Sequence, residues 1–350
     1  AVSMVQLGEP WPDVQDAYLR AWGFLPTRAE TLYAIARRYR EDGSYQLGYL
    51  FAERAAEIPF PEQDLFVHAD VYGWRAADEQ AICASWIGKH PEAFTLCRRL
   101  LARSDIPDDA RQRIAGNRDF SVPAMLEAAS SYPEVVVSGL VAGLRDAEVT
   151  VSLVAGPDRG VTEQTLNSFL HCCTDVSRVG RFLMADTGLP AAGRAMLGER
   201  YGLVEFVECD PADGPGALLA RIREQIGGRF WLHLGEGWRF FAPEGLITRL
   251  SGVLDAEAQV FQVGINFTDA TKLTGACAAE QAVRRTPDAG RYVLADAVAA
   301  GPAMFDTARL DRAGGINGTG PDPIAALGRR ATAPGLHTAS LDEVLCITAI

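Results

Sequence analysis

The chain has 350 residues, 48% hydrophobic and 22% charged, a composition ordinary for a folded globular protein and sufficient for a substantial core in two domains. Its formal net charge of −12, with no long basic run, argues against a nucleic-acid partner. No apolar run approaches the roughly 18–20 residues that span a bilayer, and no basic-then-apolar leader opens the sequence, so the expected location is the cytoplasm.

From Pro12 to about Arg118 the apolar residues fall at helical spacing and strand signals are nearly absent. Thr27 and Glu30 form a capping-box pair that opens a helix with Leu32, Ile35, Ala36 and Tyr39 on one face, and Gly43 stops it. Tyr45, Gly48, Phe51, Ala52 and Ala55 line a second helix that ends before Pro59 and Pro61. This pair resembles a tetratricopeptide repeat, a helix-turn-helix unit of about 34 residues with small residues where its helices touch. A looser pair follows, with Trp74, Ala77, Ala81 and Ala84 before Gly88 and with Ala93, Cys97 and Leu100 after it. Two units are fewer than such repeats usually need to stand alone. The block therefore reads as a buttress for a second domain, with docking of a peptide, protein or small-molecule acceptor as the alternative.

The pattern changes between Ile106 and Ser131, a stretch that contains Pro107 and Pro123. Residues 1–125 form the expected all-α domain and residues 126–350 the expected α/β domain. Val149 to Ala155 is a β-branched strand that runs into the polar turn Gly156-Pro157-Asp158-Arg159-Gly160 and a helix from Val161 or Thr162. The alternation recurs: strand Arg181 to Ala185, helix Ala191 to Tyr201, strand Leu203 to Val207, helix Gly216 to Gln225, strand Phe230 to Leu234. Further strands are expected at Val260 to Phe267 and Tyr292 to Leu294. Strand, turn and helix in this order predict a doubly wound, mainly parallel sheet whose ligand lies at the carboxyl ends of the strands.

No G-x-G-x-x-G follows the first strand, and the chain contains neither a Walker A motif nor a G-x-S-x-G elbow. Seven cysteines lie scattered without a C-x-x-C pair, which argues against structural zinc and a disulfide scaffold and for buried free thiols. Phe230-Trp231-Leu232 and the turn Gly235-Glu236-Gly237 stand out: a buried strand delivers a single carboxylate to a strand end. His233 alternates with Trp231 and reads first as a satisfied core histidine.

Several of these stations, taken in order, resemble the bacterial A-type (GT-A, family 2-like) glycosyltransferases. Ala155, Gly156, Asp158 and Arg159 match the entry to that family's nucleotide pocket. Asp186-Thr187-Gly188 resembles its Asp-Asp-Gly-Ser station, which contacts nucleoside. Gly235-Glu236-Gly237, followed by Trp238 and Arg239, occupies the Asp-x-Asp station. Gly301-Pro302-Ala303-Met304-Phe305 with Gly314-Gly315-Ile316 resembles the acceptor-side segment, a Gly-rich turn and a helix ending in Gly-Gly. Pro321-Asp322 stands near the family's Glu-Asp, which makes Asp322 the candidate base.

What the resemblance implies is a hexosyltransferase type of enzyme using a UDP-, GDP- or dTDP-linked sugar, with Asp322 and Glu236 as catalytic candidates. Ala155, Gly156, Asp158, Arg159, Asp186, Gly235, Trp238 and Arg239 would bind the donor, and Gly301 and Met304 would lie on the acceptor side. Two acids of the metal motif are replaced by Gly235 and Gly237, and the tail Cys346-Ile347-Thr348-Ala349-Ile350 lacks the family's His ligand. One carboxylate holds Mg²⁺ or Mn²⁺ weakly at best, so no metal ligand is assigned. Arg159, Arg239 and Arg329 are the candidate cations that would balance the diphosphate instead. A retired transferase acting as a binding module, and a scaffold turned to other chemistry, remain open alternatives.

Overall fold

The computed structural model describes residues 1–62, 66–142, 148–210, 214–267, 273, 275–316, 323–331 and 335–348. The chain forms two compact units, Ala1–Ala124 and Met125–Ile350.

The first unit is helical. Its elements are α1 (Val2–Leu7), α2 (Trp11–Phe24), α3 (Glu30–Glu41), α4 (Tyr45–Ala56), α5 (Ala76–Trp86), α6 (His90–Leu101) and α7 (Asp108–Asp119), and a π-helical turn, Val71–Arg75, leads into α5. Each helix from α2 to α7 packs on the next. Small residues set the spacing: Ala36, Ala52 and Ala84 are fully buried, and Gly48 lies against Ala36 of α3 and Cys83 of α5. The start of α3 differs from the expected capping box. The helix begins at Glu30 with Ala29 as its cap residue, and the Glu30 carboxylate instead accepts hydrogen bonds from Arg28 and Tyr72. Thr27 lies outside the helix because a tertiary clamp, not a local cap, fixes this end. The stretch with Pro107 and Pro123 is also helical: α7 is followed by α8 (Val122–Ala128) and α9 (Glu134–Ala142), with Pro107 capping α7 and Pro123 in the first turn of α8.

The second unit is built on a sheet. Its elements are β1 (Val149–Ala155), α10 (Arg159–Cys172), β2 (Val179–Asp186), α11 (Ala191–Arg200), β3 (Val204–Val207), α12 (Pro215–Glu224), β4 (Phe230–His233), β5 (Trp238–Phe240), α13 (Leu246–Ala256) and β6 (Val260–Gly264). There follow β7 (Arg284–Thr286), β8 (Gly290–Ala295), β9 (Ala303–Asp306), α14 (Thr307–Arg312), α15 (Pro323–Ala331), β10 (His337–Leu341) and β11 (Cys346–Thr348). Among the described residues nine strands pair in the order β3-β2-β1-β4-β9-β6-β10-β8-β7, and β5 pairs with β11 apart from them. Among the described residues all strands of the large sheet except β8 and β9 run in one direction. The architecture is thus an all-helical region followed by a mixed, mostly parallel α/β domain.

β9 corrects the sequence reading of Ala303-Met304-Phe305 as turn and helix. These residues form a strand wedged antiparallel between β4 and β6, every one of them buried. A strand covered on both faces carries no alternation, so the short apolar run after Gly301-Pro302 gave no period to read. The core on one face gathers Trp231 and Phe305 with Leu219 and Ile222 of α12, Leu310 of α14 and Leu327 of α15.

Candidate functional site

In the sheet order, β2 and β3 lie on one side of β1 and β4 on the other. The chain therefore reverses its winding between β1 and β4, and an open α/β sheet forms its ligand crevice at that point, outside the carboxyl ends of the strands. Three of the predicted residues converge there. β1 ends at Ala155, fully buried, and Gly156 follows. The Glu236 carboxylate lies on the bare Cα of Gly156: a Cβ there would stand 2.0 Å from Glu236 Oε1. Across β1, Ala155 pairs with Asp186, and the Ala155 carbonyl accepts from Thr187 N–H at 2.9 Å, which ties the two strand ends together.

The turn that carries Glu236 needs its glycines. Gly235 has φ 71° and Gly237 φ 73°, the left-handed region that costs other residues about 1–2 kcal/mol. Trp238, nearly buried at 8% exposure, closes the turn from behind. Its indole leaves room for no side chain at Gly301, where a Cβ would meet Cζ2 at 2.7 Å.

Other predicted residues have local partners. Asp186 Oδ1 accepts from the backbone N–H of Gly188 at 3.0 Å and of Leu189 at 2.8 Å, and Oδ2 lies 3.6 Å from Arg194. Asp158 caps α10, accepting from Gly160 N–H at 2.8 Å. Arg159 reaches along α10 to Glu163 at 3.7 Å and across to Met196 of α11. Arg239 points away from the crevice: Nη2 donates to the Leu126 carbonyl at 3.2 Å and to Ser130 Oγ at 2.9 Å, at the end of α8. The alternation of β5 explains this, since Arg239 stands on the face opposite Trp238 and Phe240. Met304 is fully buried in β9 between Leu232 and Val263. Asp322 lies outside the described residues, as does the side chain of Arg329.

Beneath the crevice stands a polar chain that sequence reasoning left in the core. Trp231 Nε1–H donates to Ser152 Oγ at 2.7 Å, and Ser152 Oγ lies 2.9 Å from His233 Nδ1. Trp231 and Ser152 are fully buried, whereas His233, the last residue of β4, is half-buried. Burial lowers the His233 pKa to about 4, so the imidazole is neutral near pH 7. The alternation of Trp231 and His233 was legible, but the Ser152 link depends on the parallel register Ser152 to His233 between β1 and β4, which no local pattern encodes. The Arg194 to Asp186 pair was missed as well, because it depends on how the turn after β2 sets α11 against the strand end.

The residues at this corner do not fit a protein-held divalent ion. Glu236 is one carboxylate between glycines, Asp186 is committed to two amides, and among the described residues no group of three or more His, Cys, Asp or Glu is placed to hold a metal.

No family profile and no curated protein sequence matches the chain. Solved structures do resemble it in chain trace. The mannosyltransferase PcManGT from Pyrobaculum calidifontis, solved with GDP-Man and Mn²⁺, has a TM-score of 0.46 at 13% identity over 69% of each chain. GalNAc-T7, solved with UDP, GalNAc and Mn²⁺, gives 0.45 at 10% identity over 63% of this chain and 50% of its own. TarS of S. aureus gives 0.42 at 11% identity over 58% of this chain and 37% of its own.

The helical unit carries a groove of its own, about 400 Å³, between α3, α5 and α7. Tyr33, Trp74 and Asn117 line it with two ion pairs, Arg40 to Glu79 and Arg113 to Asp78, whose acids are nearly buried. Among the described residues no helix is long and apolar enough to cross a membrane.

Proposed function

We propose that the second unit binds a nucleotide sugar in the crevice between β1 and β4 and transfers its sugar to an acceptor, with weak or no dependence on a divalent metal. The observation that carries this reading is the contact of Glu236 with Gly156 at the winding reversal, flanked by Asp186 at the end of β2. The order of motif stations along the sequence supports it.

In the reaction an acceptor oxygen attacks the anomeric carbon in line. The new C–O bond forms as the bond to the nucleoside diphosphate breaks, the leaving diphosphate keeps the electron pair, and the acceptor proton passes to a carboxylate. Asp322 is the proposed base. Glu236, which lies over Gly156, would orient a sugar hydroxyl by accepting its hydrogen bond, and the Asp186 turn would wall the nucleoside side. No step is routed through a metal.

Calorimetry with UDP, GDP, dTDP and their sugars, in EDTA and then in Mn²⁺ or Mg²⁺, tests the reading. Binding of at least one that survives EDTA is expected. Absence of binding under every condition overturns it and leaves the second reading, favoured by the groove in the helical unit: a module that docks a peptide or protein.

A further inference from the structure

We propose that His233 contacts the substrate as a fixed, neutral hydrogen-bond donor, presenting its Nε2–H to an oxygen of the bound nucleotide sugar, and that it is not the base of the reaction. This inference rests on the nucleotide-sugar reading of the crevice.

The argument starts at Ser152. Its hydroxyl has one proton to give and is fully buried. Among the described residues its side-chain partners are the Trp231 indole and His233 Nδ1. An indole N–H is a donor and nothing else, so Ser152 Oγ accepts from Trp231. If His233 Nδ1 also carried a proton, Ser152 would accept twice and its own O–H would be left buried without an acceptor, which costs about 1–3 kcal/mol. The hydroxyl proton therefore goes to Nδ1, and the neutral ring carries its hydrogen on Nε2.

That second nitrogen has no partner among the described residues, and it is not among the buried polar atoms that lack one. Its N–H is thus open to solvent or ligand. His233 closes β4 immediately before the turn bearing Glu236, on the strand next to β1. Trp231 supports it from below within the core. A ring whose Nδ1 is occupied by an incoming proton and whose Nε2 already bears one has no free lone pair for general-base work. It has one donor, held at the carboxyl end of β4 beside the crevice.

Two experiments test this on the full chain. Long-range ¹H–¹⁵N spectra of the imidazole distinguish the tautomers; the Nε2–H pattern is expected for His233, and the Nδ1–H pattern overturns the proposal. Calorimetry then compares wild type, H233N and H233Q for nucleoside diphosphates and for nucleotide sugars. Asn can still accept from Ser152 but lacks a donor at the Nε2 position, so binding should weaken about tenfold; Gln places an amide N–H there and should stay within about threefold. Melting curves confirm that both variants are folded. Loss on diphosphate and sugar nucleotide alike assigns the contact to a phosphate oxygen, and loss on the sugar nucleotide alone to a sugar hydroxyl. Unchanged binding by H233N, or equal loss in both variants, overturns the proposal while the nucleotide-sugar reading stands. Failure of the wild type to bind any of them overturns both.

Discussion

A methyl group added at Gly156 and one added at Gly301 meet different obstacles. At Gly156 the new atom falls on the end of the flexible, exposed Glu236 side chain, which can swing into solvent. Gly156→Ala should change the unfolding free energy by less than about 1 kcal/mol in a denaturant titration. On the proposed reading of the crevice it should nonetheless weaken nucleotide-sugar binding, because Glu236 is driven off Gly156. At Gly301 the new atom meets Cζ2 and Cη2 of Trp238, at 2.7 and 2.8 Å, on a rigid ring held in the interior. Gly301→Ala should cost about 1–3 kcal/mol in the same titration, the usual cost of overpacking. A stability loss at Gly156 as large as that at Gly301 would show that Glu236 is pinned in place and is not a mobile cleft residue.

At the scale of the element, the corner depends on a strand that the sequence does not announce. β11 pairs with β5, which carries Trp238, and Asn266, two residues beyond β6, holds β11 in place. Its Oδ1 accepts from Leu345 N–H at 2.9 Å and Cys346 N–H at 3.2 Å, while its Nδ2 donates to the Cys346 carbonyl at 2.7 Å. Asn266→Ala should cost about 2–3 kcal/mol and speed hydrogen exchange at the Leu345 and Cys346 amides ahead of those in β1. Unchanged exchange there would mean that the β5–β11 pairing holds without the clamp. Tail residues 346–348 were legible only as a missing His; a three-residue strand held by a side chain 80 residues away has no local signature. By contrast β1, α10, α11 and α12 could be read to within a few residues, because each has a periodic apolar face and a Gly or Pro at its border. Arg239 shows the limit of such reading at the site. Its place after Trp238 suggested a cation for the diphosphate, but only the pleat of β5 decides which way it faces.

Across the whole molecule, the groups with shifted titration lie in different units, so acid should act on the units in different pH windows. His233 protonates near 6.5 in an unfolded chain and only near 4 in the fold, because burial disfavours its charge. Between those values the unfolded state binds more protons, and the second unit loses up to about 3 kcal/mol as pH falls from 6.5 toward 4. Asp342, whose carboxyl burial pushes up, works against that loss within the same unit. In the helical unit burial raises Glu30, but hydrogen bonds from Arg28, Tyr72 and two backbone N–H groups outweigh it and bring the pKa to about 2 from 4.5. That contribution is complete above 4.5 and is lost only as pH falls toward 2; Glu79, raised by burial, gains protons on folding and favours the unit further as pH drops. Hydrogen exchange followed from pH 7 to pH 4.5, corrected for the intrinsic pH dependence, should show protection falling in β1 and β4 while that in α3 and α4 is kept. In H233Q the fall in β1 and β4 should disappear. Parallel loss in both units, or a fall unchanged by H233Q, would locate the acid sensitivity elsewhere than in the half-buried imidazole.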